Sequence, residues 1–366
     1  MPRITRRVAL RAGLLTTVAA LSLTPVTTAS ADDAGRAASD LPPIFSADVA
    51  TYNLYLGATL DPLFTATTPE ELVRLAGEVY AGVEATNFPE RAGAIADQIA
   101  EHDPEVVGLQ EVALWEKGPL GGQLQVTYDF LDLLLDELAE RGHPYRAVAT
   151  NWNFDGTLPI SAAEQARFRD RDVIIVRADL PRPLLQVTNP QSGTYAAVLQ
   201  IPTAIPGVTF ESPRGWSTVD VRLLGARFRF ANTHLEASGP AAIRNAQAAE
   251  LAGLLDASPL RTVLVGDLNS RPNDVAGAYG ILTGAGFADA WLATGGDPAT
   301  GFTAGQTATL LDENRLRSRI DYVLTGDGIR PLSAEVIGDE EADRSQPTGF
   351  WPSDHAGVVA TLRFTR

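Results

Sequence analysis

The sequence predicts an α/β fold, with layers of helices covering packed sheets, and three observations carry that expectation. From residue 44 onward, apolar runs of strand length alternate with amphipathic segments of helical period. The strands outnumber the helices, of which about four are spread among them, as α/β layers require. No period of about 20–50 residues repeats, which excludes a solenoid or propeller. No linker divides the chain, so one domain is expected over residues 44–366.

The elements follow in order. "SADVATYNLYLG" reads as a strand ending near Asn53. "PEELVRLAGEVYAGVEATNF" and "PERAGAIADQIAEHD" read as helices, the second with Ala94, Ile95 and Ile99 on one face and Pro104 closing it. "EVVGLQEV" is a strand, and "DFLDLLLDELAERG" is a helix that Gly142 stops. "YRAVAT", "RDVIIVR", "TVDVRLLG" and "ARFRFANTHL" are strands, and "AAIRNAQAAELAGLLDAS" is a helix. "RTVLVGDLN" is a strand and "VAGAYGILTGAG" a helix, after which "RIDYVLTG", "LSAEVIGD" and "AGVVATLRFT" read as strands.

Residues 1–31 differ in kind. Arg3, Arg6, Arg7 and Arg11 precede an apolar run from Ala12 to Leu23, and Ala29-Ser30-Ala31 stands ahead of Asp32. That order predicts a secretory signal peptide over residues 1–31, with a run too short to span a bilayer. "TRRVALR" also resembles a twin-arginine export signal. Residues 32–43 read as a flexible leader. The expected destination is extracellular, and no cysteine is present to form a disulfide there, so stability must come from the core. Loss of the signal peptide's four arginines takes the formal charge from -16 to -20, and so acidic a body gains nothing from general attraction to phosphate backbones.

Polar residues stand at strand ends where a core does not need them. Asn53 closes the first strand, and Gln110 and Glu111 close "VVGLQE". Asn232 and His234 lie in "FANTHLE", Asp267 and Asn269 in "VGDLN", Asp321 in "RIDYVL", and Asp354 and His355 in "PSDHAGVV". Burying such groups singly is costly, but convergence on one solvated cleft with a cation makes them reasonable. In an extended segment, alternation would send Asp267 and Asn269 to the same side.

The ordered set N, QE, NTHL, GDLN, RIDYVL, SDH resembles the endonuclease/exonuclease/phosphatase superfamily over nearly all of residues 47–366. The resemblance is nearest to the sphingomyelinase-like and phosphatase-like branches. It implies a four-layer α/β sandwich of the DNase I-like kind, two packed mixed sheets flanked by helices, with the motif residues at the C-terminal ends of strands. It also implies Mg²⁺-dependent hydrolysis of phosphoesters, with Mn²⁺ or Ca²⁺ as alternative ions.

Phosphodiester hydrolysis needs a cation to neutralise charge, a base for water, and donors for the developing charge. Glu111 offers a hard oxygen ligand, Asn53 is expected to orient the metal or the phosphate, and Asp354 to touch a second metal position. Asp267 is the group expected to take the proton from water, with Asn269 holding it in line. His234 and His355 would donate N–H bonds to the non-bridging oxygens, and Asp321 would fix the tautomer of His355, as in this family's Asp–His pair. Arg171 resembles the family's phosphate-binding arginine, and Tyr128, Asn151 and Asn153 are further cleft candidates. His102 and His143 read as surface or capping residues.

The favoured substrate is a small or lipid-borne phosphodiester, which fits the acidic charge, the single lysine Lys117 and export. The alternatives are an extracellular nuclease acting on DNA or RNA, and a non-catalytic binding protein that keeps the fold. Residues 189–216, an apolar Pro/Gly-punctuated insertion, are read either as an edge hairpin packed on the sheet or as a hairpin making peripheral membrane contact. The chain is expected to act as a monomer.

Overall fold

The computed structural model describes residues 45–364. The expected signal peptide and leader lie outside the described residues. The chain opens with β1 (Phe45–Asn53), α1 (Asp61–Phe64), α2 (Pro69–Ala85) and α3 (Phe88–His102). Next come β2 (Val106–Gln110), β3 (Leu114–Pro119), β4 (Gln125–Asp129), α4 (Phe130–Glu140), β5 (Tyr145–Pro159) and β6 (Glu164–Arg177). Then follow β7 (Leu185–Thr194), β8 (Leu199–Pro202), β9 (Thr209–Ser212), β10 (Gly215–Leu223), β11 (Ala226–His234) and α5 (Ala241–Asp256). The described chain ends with β12 (Thr262–Asp267), α6 (Ala278–Gly284), β13 (Ala288–Asp289), α7 (Ala290–Ala293), β14 (Asp321–Thr325), β15 (Ile329–Ile337) and β16 (Gly357–Phe364).

Two mixed sheets result. One runs β15-β16-β1-β2-β6-β3-β4 with β5 paired to β6, and the other runs β13-β14-β12-β11-β10-β7. Strand alternation explains how both faces of each sheet are used. Ala47 and Val49 of β1 enter the core between the sheets with Val263 and Val265 of β12, whereas Ala50 and Tyr52 face α2, α3 and α4. On the far side, Leu264 and Leu324 pack on α5 and α6 through Leu251, Leu255 and Leu282. Helices, sheet, sheet, helices make the four layers that the resemblance implied.

The helix ends follow local chemistry. Thr68 caps α2 by accepting from Glu71 N, with Pro69 at the first helical position. Asp129 caps α4 by accepting from Leu131 N and Asp132 N. Past that helix, Gly142 takes φ +81°, a conformation natural to glycine.

The sheets approach closely at Gly108 of β2, where a Cβ would stand 2.4 Å from Val265 Cγ2 and 2.7 Å from Asn232 Oδ1. Asn232 joins the sheets there, donating to Leu109 O at 3.0 Å and accepting from Gln110 Nε2 at 2.7 Å. Both side chains are buried between the layers, so these two motif residues hold the sandwich together rather than line a cleft.

The hairpin β3–β4 was not expected. Its strand β4 carries mostly exposed or half-buried residues, so no apolar alternation marks it. Residues 189–216 match neither expectation fully. β7 is an edge strand paired with β10, but β8 and β9 form a separate two-stranded sheet. That hairpin turns Ile205, Val208 and Phe210 inward against the core of the helical layer. Among the described residues, no helix is long and apolar enough to cross a membrane.

Candidate active site

Strand register brings the polar residues together at one edge of the sandwich. β11 and β12 are parallel with His234 beside Asp267, and β12 and β14 are antiparallel with Asp267 beside Asp321. In the other sheet, parallel pairing sets Asn53 beside Gln110, one residue before Glu111. The expectation that every motif lies at a C-terminal strand end needs correction. Asp321 opens β14, and His355 lies just ahead of β16. Both strands run antiparallel to their neighbours β12 and β1, so their beginnings meet the others' ends.

Asp267 sits at the centre, and its Oδ2 accepts from Asn53 Nδ2 at 3.2 Å across the two sheets. The same oxygen is 3.6 Å from His234 Nε2 and 3.8 Å from His355 Nε2. The far nitrogen of His355, Nδ1, lies 2.9 Å from Asp321 Oδ2. Arg319, which could have engaged Asp321 as a strand-end ion pair, bonds Asp289 at 2.6 Å instead.

Asn269 reaches the cluster by a route other than strand alternation. The strand ends at Asp267, and Asn269 adopts φ +48° in a tight turn whose N–H donates to Asp267 Oδ1 at 2.8 Å. Its side chain then donates to Leu235 O at 2.9 Å and lies 3.2 Å from His234 Nε2. Glu111 likewise leaves its strand through φ +53°. Its carboxylate accepts from Asn53 Nδ2 at 3.2 Å and from Leu56 N at 2.8 Å.

Two candidates are corrected by this geometry. Asn53 was expected among the metal ligands, but its Oδ1 accepts from Tyr55 N at 3.0 Å while its Nδ2 bridges Glu111 and Asp267. It orients two carboxylates. Arg171 was expected to hold phosphate, but it is buried, pairs with the helix-capping Asp129 and donates to Val112 O at 3.1 Å. Alternation along β6 sends Asp170 and Asp172, not Arg171, toward His234.

The arginine that does face the cleft is Arg214, at the entry to β10. Its Nη1 is 3.0 Å from His234 Nδ1 and 3.8 Å from Asp170 Oδ2, and its Nε is 3.7 Å from Glu236. Sequence reasoning missed Arg214, Asp170 and Glu236. The signal for Glu236 was available, two residues beyond His234 in the quoted motif. Asn153 donates to Asp170 at 3.1 Å and to Asp172 at 2.9 Å, and Asn151 supports it at 2.6 Å. Tyr128 packs against the helical-layer core. His102 donates from Nδ1 to Gln98 O and His143 meets Asp103, both outside this cluster.

The electrostatics are those of a site short of positive charge. Burial pushes Asp267 up to about 7, with the charge of Asp321 adding and His355 opposing. Asp354 is also pushed up to about 7, first by the protein enclosing it, with Glu111 and Asp321 adding against His355 and Arg91. Burial and Asp170 raise Asp172 well above the carboxylate range. His234 is held well below its ordinary value by burial and then by Arg214 and His355, so its ring is neutral. A guanidinium and an amide nitrogen can only donate, and they stand 3.0 Å from Nδ1 and 3.2 Å from Nε2 of that ring, so donors surround it on both sides. Burial alone would lower His355, but Asp321, Asp354 and Asp267 outweigh it and raise the ring well above its usual value.

The donor set fits a divalent cation. Glu111 and Asp354 line the same cleft and offer hard oxygens, and Asp321 Oδ1 is buried with no hydrogen-bond partner. Asp267, Asp321 and His355 also bring ligand atoms within 4.8 Å of one another, as do Asp170, Asp172 and His234. A cation would offset the upward push that burial first, and neighbouring acids second, give Asp267 and Asp354.

A two-sheet α/β sandwich with carboxylates, amides and two histidines at one edge defines a metal-assisted phosphoester hydrolase class. The family model described as Endonuclease/Exonuclease/phosphatase family matches residues 50–355, and the chain belongs to that family. No curated protein matches it. Among solved structures it is similar to an endonuclease/exonuclease/phosphatase family protein from Bacteroides thetaiotaomicron, with TM-score 0.56 and 18% identity over 89% of this chain and 100% of that one. It is also similar to the B. thetaiotaomicron mannosyl-6-phosphatase, with TM-score 0.53 and 19% identity over 86% and 99% of the two chains. The D. rerio TDP2 complexed with single-strand DNA product has TM-score 0.50 and 18% identity, covering 87% of this chain and 98% of its own.

Proposed function

We propose that this chain is a secreted, Mg²⁺-dependent phosphodiesterase that attacks phosphorus in line with water, and that its substrate is a small or lipid-borne phosphodiester. The single observation that carries the reading is the position of Asp267 Oδ2, within 3.2 Å of Asn53 Nδ2, 3.6 Å of His234 Nε2 and 3.8 Å of His355 Nε2. Burial and the charge of Asp321 raise the proton affinity of this carboxylate, which suits it to take a proton from water. Asn269 holds it through its backbone N–H, and Asn53 ties it to Glu111.

Protonated His355 donates through Nε2 to a non-bridging oxygen, while Asp321 holds the proton on Nδ1. Neutral His234 flanks Asp267 from the other side, and Arg214 supplies a donor at the cleft wall. An ion held by Glu111 and Asp354 would neutralise phosphoryl charge and acidify the attacking water. Export rests on the N-terminal arginines and the apolar run that follows them.

The second reading is an extracellular nuclease, favoured by the similarity to a structure that holds single-strand DNA product. The formal charge of -16 and the single lysine weigh against it. Purified residues 32–366 with Mg²⁺, given bis-p-nitrophenyl phosphate, plasmid DNA, and sphingomyelin or phosphatidylcholine vesicles, separate these readings. Release of phosphorylated headgroup supports the proposal. Nicked plasmid with intact lipid replaces it by the nuclease. No turnover of any substrate, with Mg²⁺ still bound, leaves a binding protein that keeps the fold.

A further inference from the structure

A cavity extends away from Glu111 and Asp354. From Glu111, Asp354, Arg214 and Glu236 it opens into a chamber with a volume of about 750 Å³. Three separate parts of the chain enclose it: the α1–α2 segment, the β5–β6 hairpin and the β8–β9 hairpin. Leu60, Phe64, Phe154, Leu158, Ile160 and Phe210 form much of its wall, and none is fully buried. Phe64 and Phe210 meet edge-on with ring centroids 5.3 Å apart, joining α1 to the small hairpin.

We infer that this chamber binds the hydrocarbon portion of the substrate, so that the enzyme selects phosphoesters whose phosphorus carries an alkyl chain. The inference rests on the hydrolase reading and specifies its substrate class. Four observations support it. The chamber is lined by Glu111 and Asp354, the residues assigned to hold the ion, so a group ester-linked to an ion-bound phosphoryl reaches it directly. Its volume suits a small-molecule site. The part of its wall made by Leu60, Phe64, Phe154, Leu158, Ile160 and Phe210 is apolar and partly exposed, and covering it with hydrocarbon removes apolar surface from water. Its charged lining residues include Asp61, Asp155 and Glu211 besides the acids of the site, and Arg214 is the one base. A polyanion is repelled by such a lining, whereas an uncharged chain is not.

The β8–β9 hairpin fits this role better than insertion into a bilayer. Its apolar Ile205 and Phe210 turn inward, while the solvent-exposed Gln200 and Glu211 bond each other at 3.0 Å. Hydrocarbon held in the chamber is therefore drawn in from solution or from a membrane surface.

The test is a series of alkyl p-nitrophenyl phosphodiesters, methyl through octyl, with thymidine p-nitrophenyl phosphate as the nucleotide comparison, on residues 32–366 with Mg²⁺. Burying a methylene is worth up to about 4-fold, so kcat/KM is expected to rise at least about 10-fold from methyl to octyl. Phe210→Glu should lower the octyl-to-methyl ratio. Sphingomyelin vesicles beside monomeric octyl ester distinguish a membrane source from a soluble one. A flat series, or preference for the thymidine ester, overturns the chamber's role while leaving the hydrolase reading in place. If no ester is turned over, the hydrolase reading falls. Calorimetric binding of octyl phosphate no tighter than inorganic phosphate then overturns the chamber's role as well.

Discussion

Asp321 Oδ2 lies 2.9 Å from Nδ1 of His355, a residue 34 positions further along the chain. This contact holds the proton on Nδ1 and favours the charged ring. Asp321→Asn removes the largest of the charges that raise His355. A proton-donating His355 is active below its pKa and loses activity as pH rises through it. The variant's ring should therefore deprotonate earlier, moving the alkaline limb of the kcat/KM profile to lower pH and reducing turnover by about 10²-fold or more. An unchanged alkaline limb contradicts this assignment.

Glu111 supplies metal affinity in this account. Mg²⁺ should raise the Tm of the wild-type protein, and Glu111→Gln should need at least about 10-fold more Mg²⁺ for the same shift. Asp354, pushed up to about 7, adds a pH dependence. Below about pH 7 a proton competes with the ion, so affinity should fall as pH drops from 8 to 6 and level off above 8, by about 10-fold per unit for each proton displaced. A pH-independent shift in Tm argues against a carboxylate ligand of raised pKa.

Arg91 holds the loops on which the site stands. Its buried guanidinium donates to Leu54 O at 2.9 Å, Pro352 O at 2.8 Å, Tyr55 O at 3.1 Å and Thr86 O at 2.9 Å. A lysine cannot span four carbonyls, so Arg91→Lys should destabilise the protein by about 3 kcal/mol and weaken Mg²⁺ binding through Asp354. Urea denaturation measures the first effect and metal titration the second. Stability within about 0.5 kcal/mol of wild type would show that these bonds are dispensable.

Gly108→Ala should wedge the sheets apart, because its Cβ would stand 2.4 Å from Val265 Cγ2. The expected loss in urea denaturation is about 1–3 kcal/mol. A neutral result would mean that the two layers slide freely at this point.

Much of this site could be read from the sequence because polar residues at strand ends are physically conspicuous. His234, Asp267 and Asp321 are adjacent through register, and Asn53 and Glu111 approach from the other sheet. What failed was local geometry. Arg171 was chosen from "DRD" although period-two alternation turns its neighbours, Asp170 and Asp172, into the site. Asn269 was placed by alternation although the chain leaves the strand before it. The chamber could not be read at all, because its apolar walls come from separate segments that each look like ordinary core.

The base assignment is tested most directly by Asp267→Asn with bis-p-nitrophenyl phosphate and Mg²⁺. The substitution keeps shape and removes proton acceptance, so turnover should fall by roughly 10²–10⁴-fold with folding and metal binding retained. Turnover near the wild-type level would contradict the role of Asp267 and the arrangement built around it.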